Sequence, residues 1–239
     1  MLILAIDCSE KTSSVAIVRD GELAAQTSVS NKGRDHSGSL LPSIESLMAS
    51  AGLSFDDVDC FAVSAGPGSF TGVRIGVSTV KGLAFGRGKI CAGVSTLEAL
   101  ACNFTDTDGL ICPVLDARRG NLYNALFRVR NGEIERLTED RLISARDLAS
   151  ELAFYDETVY FCGGGYDIML SETSGNGRIA GVSPLRRYQT GYGVALAAQK
   201  KIDRGQISDD VSLTPTYLRP SSAERLKDRN GIRKTQETD

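Results

Sequence analysis

A single histidine, His36, stands among 239 residues, and there is no tryptophan. One histidine excludes metal or catalytic designs that draw two from the same chain, so HExxH, HxxxH and C2H2 zinc sites are ruled out. A metallopeptidase reading goes with them. Surplus positive charge is also missing. Lys and Arg number 27 against 30 Asp and Glu, a formal net charge of −3. Phosphate contacts supply most of the affinity of nucleic-acid binders, so this chain is expected to reach nucleic acid only through a partner. No apolar run approaches the roughly 18 residues of a membrane span, and no membrane partner is expected. Six cysteines include no CxxC pair. Cys60, Cys91, Cys112 and Cys162 lie in or beside short apolar runs, and Cys8 follows LILAID. That usage predicts buried thiols in a reduced, cytoplasmic setting rather than a disulfide framework. The start MLILAIDCS has no basic region, and bulky Ile6 and charged Asp7 occupy positions where a lipoprotein signal wants small residues.

What is present is enough apolar material for a globular core, 41% of residues, with 24% charged. LILAID (2–7) reads as a strand buried on both faces. SSVAIVRDGEL follows, with Asp20-Gly21 as a hairpin turn into a third strand. Leu40, Leu41, Ile44, Leu47, Met48 and Ala51 recur at helical spacing, with Pro42 expected in the first turn of that helix and Gly52 as its stop. DCFAVSAGPG is a strand closing on a glycine turn, SFTGVRIGVSTVKGLAFGRG a helix, ICAGVS a strand and TLEALACNF a short helix. The order is βββαβαβα.

A similar order then starts again. ICPVLDARRGNLYNALFRVRNGEI matches the opening in outline: an apolar strand closing on an aspartate (Asp7, Asp116), a polar turn, a strand and a Gly-containing hairpin (Gly21, Gly132). SARDLASELAFYD supplies a helix, TVYFCGGG a strand ending in glycines, RIAGVSP a counterpart of ICAGVST, and GYGVALAAQKKIDRG a closing helix. Recurrence in the same order predicts a duplicated α/β fold. The predicted units are residues 1–105 and 106–220, meeting at polar NFTDTDG, with 221–239 as a tail lacking apolar periodicity. Tandem βββαβαβα units resemble the actin-like ATPase architecture of sugar kinases and heat-shock ATPases. That resemblance implies phosphate handling at the two strand–strand turns, here DCSEKTSS and DARRGN. Neither turn is glycine-rich, so the nucleotide site is expected to be degenerate. Asp7, Ser9, Asp116 and Gly164 (within the GGG at 163–165) are the weak cofactor-site candidates. A strand-end aspartate and a plain strand–helix turn are their structural alternatives.

GPGSFTG (66–72) leads from a strand into a helix but lacks the GK[ST] of a Walker loop, which favours a tight packing turn. Gly72, Gly76, Val80 and Leu83 form one stripe on that helix. Helix-interior glycines cost about 1 kcal/mol each relative to Ala, so repeated ones need a closely approaching backbone. Charged Arg74, Lys81 and Arg87 exclude a membrane helix dimer. Packing on the chain's own sheet and contact with another chain both remain open. His36 reads as a hydrogen bonder at a helix start.

LAIDCS, HSGSLLPSIESLMASAGL, GPGSFTGVRIGVSTVKGLA, GVSTLEALA, DARRGNLY and YLRP together resemble the bacterial TsaB (YeaZ) family, closely over residues 1–130 and again at 163–165 and 216–220. DCS replaces the more usual DTS after the first strand. The resemblance implies a non-catalytic subunit of the machinery that forms N6-threonylcarbamoyladenosine at position 37 of tRNA, with no activity expected alone. It implies pairing with the catalytic paralogue TsaD through the two N-terminal helices, homodimers through the same surface when alone, a TsaE-like ATPase joining through the complex, and only indirect contact with tRNA. No cofactor is expected, with nucleotide possible only within the complex. It shifts the glycine stripe toward a contact between chains, with Leu40, Leu41, Ile44, Gly72, Gly76, Val80 and Leu83 as the interface. The alternative is an independent ATP-dependent phosphotransferase of the actin-like fold, which needs phosphate turns that these turns do not match.

Overall fold

The computed structural model describes residues 1–30 and 36–219, with only the backbone of His36 and Ser37. The predicted tail at 221–239 lies outside the described residues, as does the His36 side chain. Strands Leu2–Asp7 (β1), Thr12–Arg19 (β2), Glu22–Ser30 (β3), Cys60–Gly66 (β4) and Ile90–Ser95 (β5) form one sheet in the order β3-β2-β1-β4-β5. Helices His36–Ser50 (α1) and Phe70–Ala84 (α2) cover one face, and Thr96–Ala101 (α3) follows β5. The β2–β3 hairpin turns on Asp20 and Gly21, both with positive φ (51° and 84°), as a right-twisted ribbon requires.

The second sheet is built from Gly109–Arg118 (β6), Asn121–Asn124 (β7), Phe127–Arg130 (β8), Glu133–Arg136 (β9), Arg141–Ser144 (β10), Val159–Cys162 (β11) and Ile179–Ala180 (β12). Its path β10-β7-β6-β11-β12 repeats the connectivity of the first sheet. The inserted β8–β9 hairpin breaks the pattern. NLYNALFRVR, expected as one strand, divides at Asn124: β7 pairs with the far half of β6, and β8 with its near half. Asn124 is fully buried at the break and donates to the carbonyls of Pro113 and Ala125, both at 3.1 Å, satisfying groups that an interrupted ladder leaves open. The turn at Gly132 therefore joins β8 to β9 and is not the equivalent of the Gly21 turn. Helices Ala145–Leu152 (α4), Tyr166–Glu172 (α5), Pro184–Arg187 (α6) and Gly191–Asp203 (α7) complete the chain.

One expectation needs correction. α1 begins at His36, so Pro42 lies in its second turn, on an exposed face. The two halves share their packing. α7 packs on the first sheet with Val194, Ala195, Ala197 and Ala198, while Leu97, Leu100 and Ala101 of α3 belong to the core of the second. Each half thus places its last helix against the other, because the inner faces of both sheets are apolar and need cover. β1 is buried on both faces, by α1 and α2 on one side and α7 on the other, hence its uninterrupted LILAI. α3 and α7 meet closely at Gly193, where a Cβ would collide with the Ala99 carbonyl. All six cysteines are free and buried. Among the described residues, no helix is long and apolar enough to cross a membrane.

Candidate functional site

The turns at the carboxyl ends of β1, β4, β6 and β11 converge on a cleft of about 690 Å³ between the two sheets. At the first turn Asp7 is fully buried, and its Oδ1 accepts from the Ser9 backbone N–H and hydroxyl, both at 2.9 Å. Ser9 lines the cleft, and its carbonyl accepts from the Ser69 N–H at 2.6 Å. The GPGSFTG turn is therefore clamped onto the β1–β2 turn. A Cβ at Gly68 would lie 2.6 Å from the Ser9 carbonyl oxygen, so the glycine serves close packing. Asp116 also lines the cleft. Its Oδ1 accepts from the Arg118 N–H at 2.8 Å and its Oδ2 pairs with the Arg118 guanidinium at 3.2 Å. At the fourth turn the Gly164 N–H donates to Glu10, 2.9 Å away.

Glu10 is the residue that sequence reasoning passed over. Its Oε2 also accepts from the buried Gln189 amide at 2.7 Å. Removal from water is the main cause that raises its carboxyl from 4.5 to about 7, with the Asp7 charge adding and the two hydrogen bonds and Lys11 opposing. No local motif marks it, because its partners come from the other half. The four weak candidates do gather at one place, and each of these groups is engaged with neighbours within the chain.

A strap formed by residues 207–219 closes one rim. Ser208 exchanges two backbone hydrogen bonds with Cys91, and Lys81 Nζ donates to the carbonyls of Val211 and Leu213 at 2.8 and 3.0 Å. Leu213 is buried in the first core. Tyr217 stacks on Phe70 with ring centroids 4.7 Å apart, and Arg74 donates to its hydroxyl at 2.9 Å. Arg219 donates to the Ala117 carbonyl across the cleft at 3.3 Å.

The predicted interface residues divide by direction. Gly72 and Gly76 face the chain's own sheet: a Cβ at Gly72 would collide with the Cys8 carbonyl, and one at Gly76 would lie 2.9 Å from the Cys8 sulfur. Leu40, Ile44 and Val80 are buried in the same core. The stripe is thus an inward face, which overturns its placement against another chain. The reason is steric, since only glycine lets α2 come so near the end of β1. Leu41 is 47% exposed, and Leu83 is half-buried. With Glu45 on α1 and Thr71, Arg74, Ser78 and Gly82 on α2, Leu41 belongs to the outward side of two adjacent helices.

Comparison with known proteins fits this arrangement. A family model described as TsaD, tRNA N6-adenosine threonylcarbamoyltransferase, matches residues 24–168. The tRNA threonylcarbamoyladenosine biosynthesis protein TsaB of Bacillus subtilis (strain 168) is 33% identical over 227 residues, covering 94% of this chain and 96% of the relative. TsaB of Escherichia coli (strain K12) is 38% identical over 135 residues, 55% of this chain and 58% of the relative. The solved structure of YeaZ from Pseudomonas aeruginosa shares the fold, with a TM-score of 0.77, 24% identity, and coverage of 91% of this chain and 99% of that one. Similarity over nearly the whole length, on an α/β fold of two sheets with the same path, makes this chain a member of the TsaB family of tRNA threonylcarbamoyladenosine biosynthesis proteins.

Proposed function

We propose that the chain is a non-catalytic partner in forming N6-threonylcarbamoyladenosine at position 37 of tRNA, and that it binds a TsaD-type catalytic subunit through the outward face of α1 and α2. The observation that carries this reading is the 33% identity to a TsaB protein across 94% of the chain. Two features support it. The cleft groups that a phosphotransferase of this fold would turn toward a nucleotide make internal bonds instead: Asp7 to Ser9, Asp116 to Arg118, Gly164 to Glu10. The two N-terminal helices lie side by side and leave Leu41 exposed, an apolar side chain on their outward side. Homodimers would use the same face and compete with TsaD, and a TsaE-like ATPase would join through the complex. Net charge of −3 supports indirect contact with tRNA.

The test is reconstitution. Purified chain is mixed with a TsaD-type subunit, and complex formation and modified adenosine are followed with and without it. The expected result is a stable complex, modification that depends on this chain, and no transfer or ATP turnover by the chain alone. Robust ATP-dependent phosphotransfer by the isolated chain would establish the alternative reading and overturn this one.

A further inference from the structure

The strap carries Tyr217 of the YLRP segment to the first turn of α2 and fixes it there. The Thr216 N–H donates to the Ala65 carbonyl at 2.7 Å, and a Cβ at Gly66 would collide with the Thr216 carbonyl. Strap and β4 therefore lie in direct backbone contact. Tyr217 stacks on Phe70, the first residue of α2. One turn further along the helix, Arg74 lays its guanidinium over the Phe70 ring, 3.9 Å from the centroid. Its Nε donates to the Tyr217 hydroxyl at 2.9 Å. An arginine on a helix surface ordinarily samples many rotamers, whereas this one is held by a ring on one side and a hydroxyl at its Nε. Its two terminal nitrogens are left over. Among the described residues Arg74 pairs with no carboxylate, and it makes no hydrogen bond besides that to Tyr217.

We propose that Arg74 is a preorganised anchor of the outward α1–α2 face, that it takes a carboxylate of the bound TsaD-type subunit on its terminal nitrogens, and that Tyr217 positions it. This rests on the partner reading and adds the chemistry of the contact.

The guanidinium sets the class of group it receives. With Nε engaged, its free edge presents two parallel N–H groups, the geometry that a carboxylate fills. Fixing the side chain beforehand lowers the cost of ordering it on binding, the property that makes a held arginine an effective contact. A phosphate of tRNA has a similar shape, but phosphate binding draws on several cations together. The outward neighbours are Leu41, Glu45, Thr71, Ser78 and Gly82, none of them basic. Lys81 donates to the strap carbonyls, and Arg87 pairs with Asp56. One isolated cation on such a face fits a protein carboxylate.

Titration of a TsaD-type subunit into the full chain, without tRNA and at two salt concentrations, tests the anchor, with melting read beside each variant. Arg74→Gln is expected to bind about tenfold more weakly and to lose part of the wild-type salt dependence. Tyr217→Phe keeps the stacked ring but frees the guanidinium, so a loss of about threefold is expected. That loss should vanish in a chain that already carries Arg74→Gln, because Tyr217 acts through Arg74. Should Arg74→Gln fail to fold, Arg74→Lys decides: it keeps the charge without the fork, and should bind more weakly with the salt dependence retained. A purely structural role for Arg74 would lower melting and leave the salt dependence unchanged. That result, wild-type affinity in the Arg74 variants, or a Tyr217→Phe loss that persists beside Arg74→Gln overturns this proposal and leaves the partner reading standing. Failure of the wild-type chain to bind the subunit at all overturns both.

Discussion

Gly76 of α2 and Cys8 at the end of β1 face each other so closely that a side chain at 76 would begin 2.9 Å from the Cys8 sulfur and 3.0 Å from a Val63 methyl. The contact lies in this chain's own core, so Gly76→Leu acts on folding. Overpacking costs about 1–3 kcal/mol, and a fall in urea midpoint of matching size is expected. A variant that melts like the wild type but fails to bind TsaD would return the stripe to an interface role.

Leu41 is the complementary position. It is 47% exposed on the outward face, so Leu41→Arg should change stability by no more than about 0.5 kcal/mol. Placed in a helix–helix seam, the charge should weaken TsaD binding by about 2 kcal/mol, roughly thirtyfold. Titration calorimetry with unchanged affinity would remove Leu41, and the face with it, from the proposed contact.

Gly82 and Gly193 should respond in opposite directions to added side chains. Gly82 lies inside α2 with open space around it, so Gly82→Ala is expected to stabilise by up to about 1 kcal/mol. At Gly193 any Cβ meets the Ala99 carbonyl, and Gly193→Val should separate α3 from α7 and lower the melting temperature sharply. Equal melting of the two variants would contradict the α3–α7 crossing.

The thiols should be inert while the chain is folded. Burial pushes Cys8, Cys60 and Cys102 up to about 12 and Cys91 up to about 11, so thiolate is scarce throughout the neutral range. Labelling with a thiol reagent is expected to be slow near neutrality, and to reach all six cysteines rapidly once denaturant is added. Rapid native labelling of any one would show a path to solvent that these packed positions do not have.

Local chemistry was legible wherever it was sufficient. β1 runs over Leu2–Asp7 as its apolar run predicts, the Asp20-Gly21 turn takes the φ > 0 pair that its residues favour, and α7 covers the predicted closing stretch. The duplication could be read because each half repeats its order of elements, and the two sheets repeat one path. The β8–β9 insertion was not legible, because NLYNALFRVR has strand character throughout. Only the need to pair both ends of β6 breaks it at Asn124.

Sequence alone determined the kinds of elements, their order, the buried thiols and the family resemblance, since these depend on neighbours and on short-range periodicity. Tertiary structure decided direction and distance. A glycine stripe at helical spacing states that something approaches closely, but whether this is the chain's own β1 or another molecule depends on how α2 lies on the sheet, and Cys8 supplies the answer. Glu10 is the stronger case. Its turn residues carry no signal, because the N–H and amide that hold it come from 154 and 179 residues away and meet it only when the two halves close on one cleft.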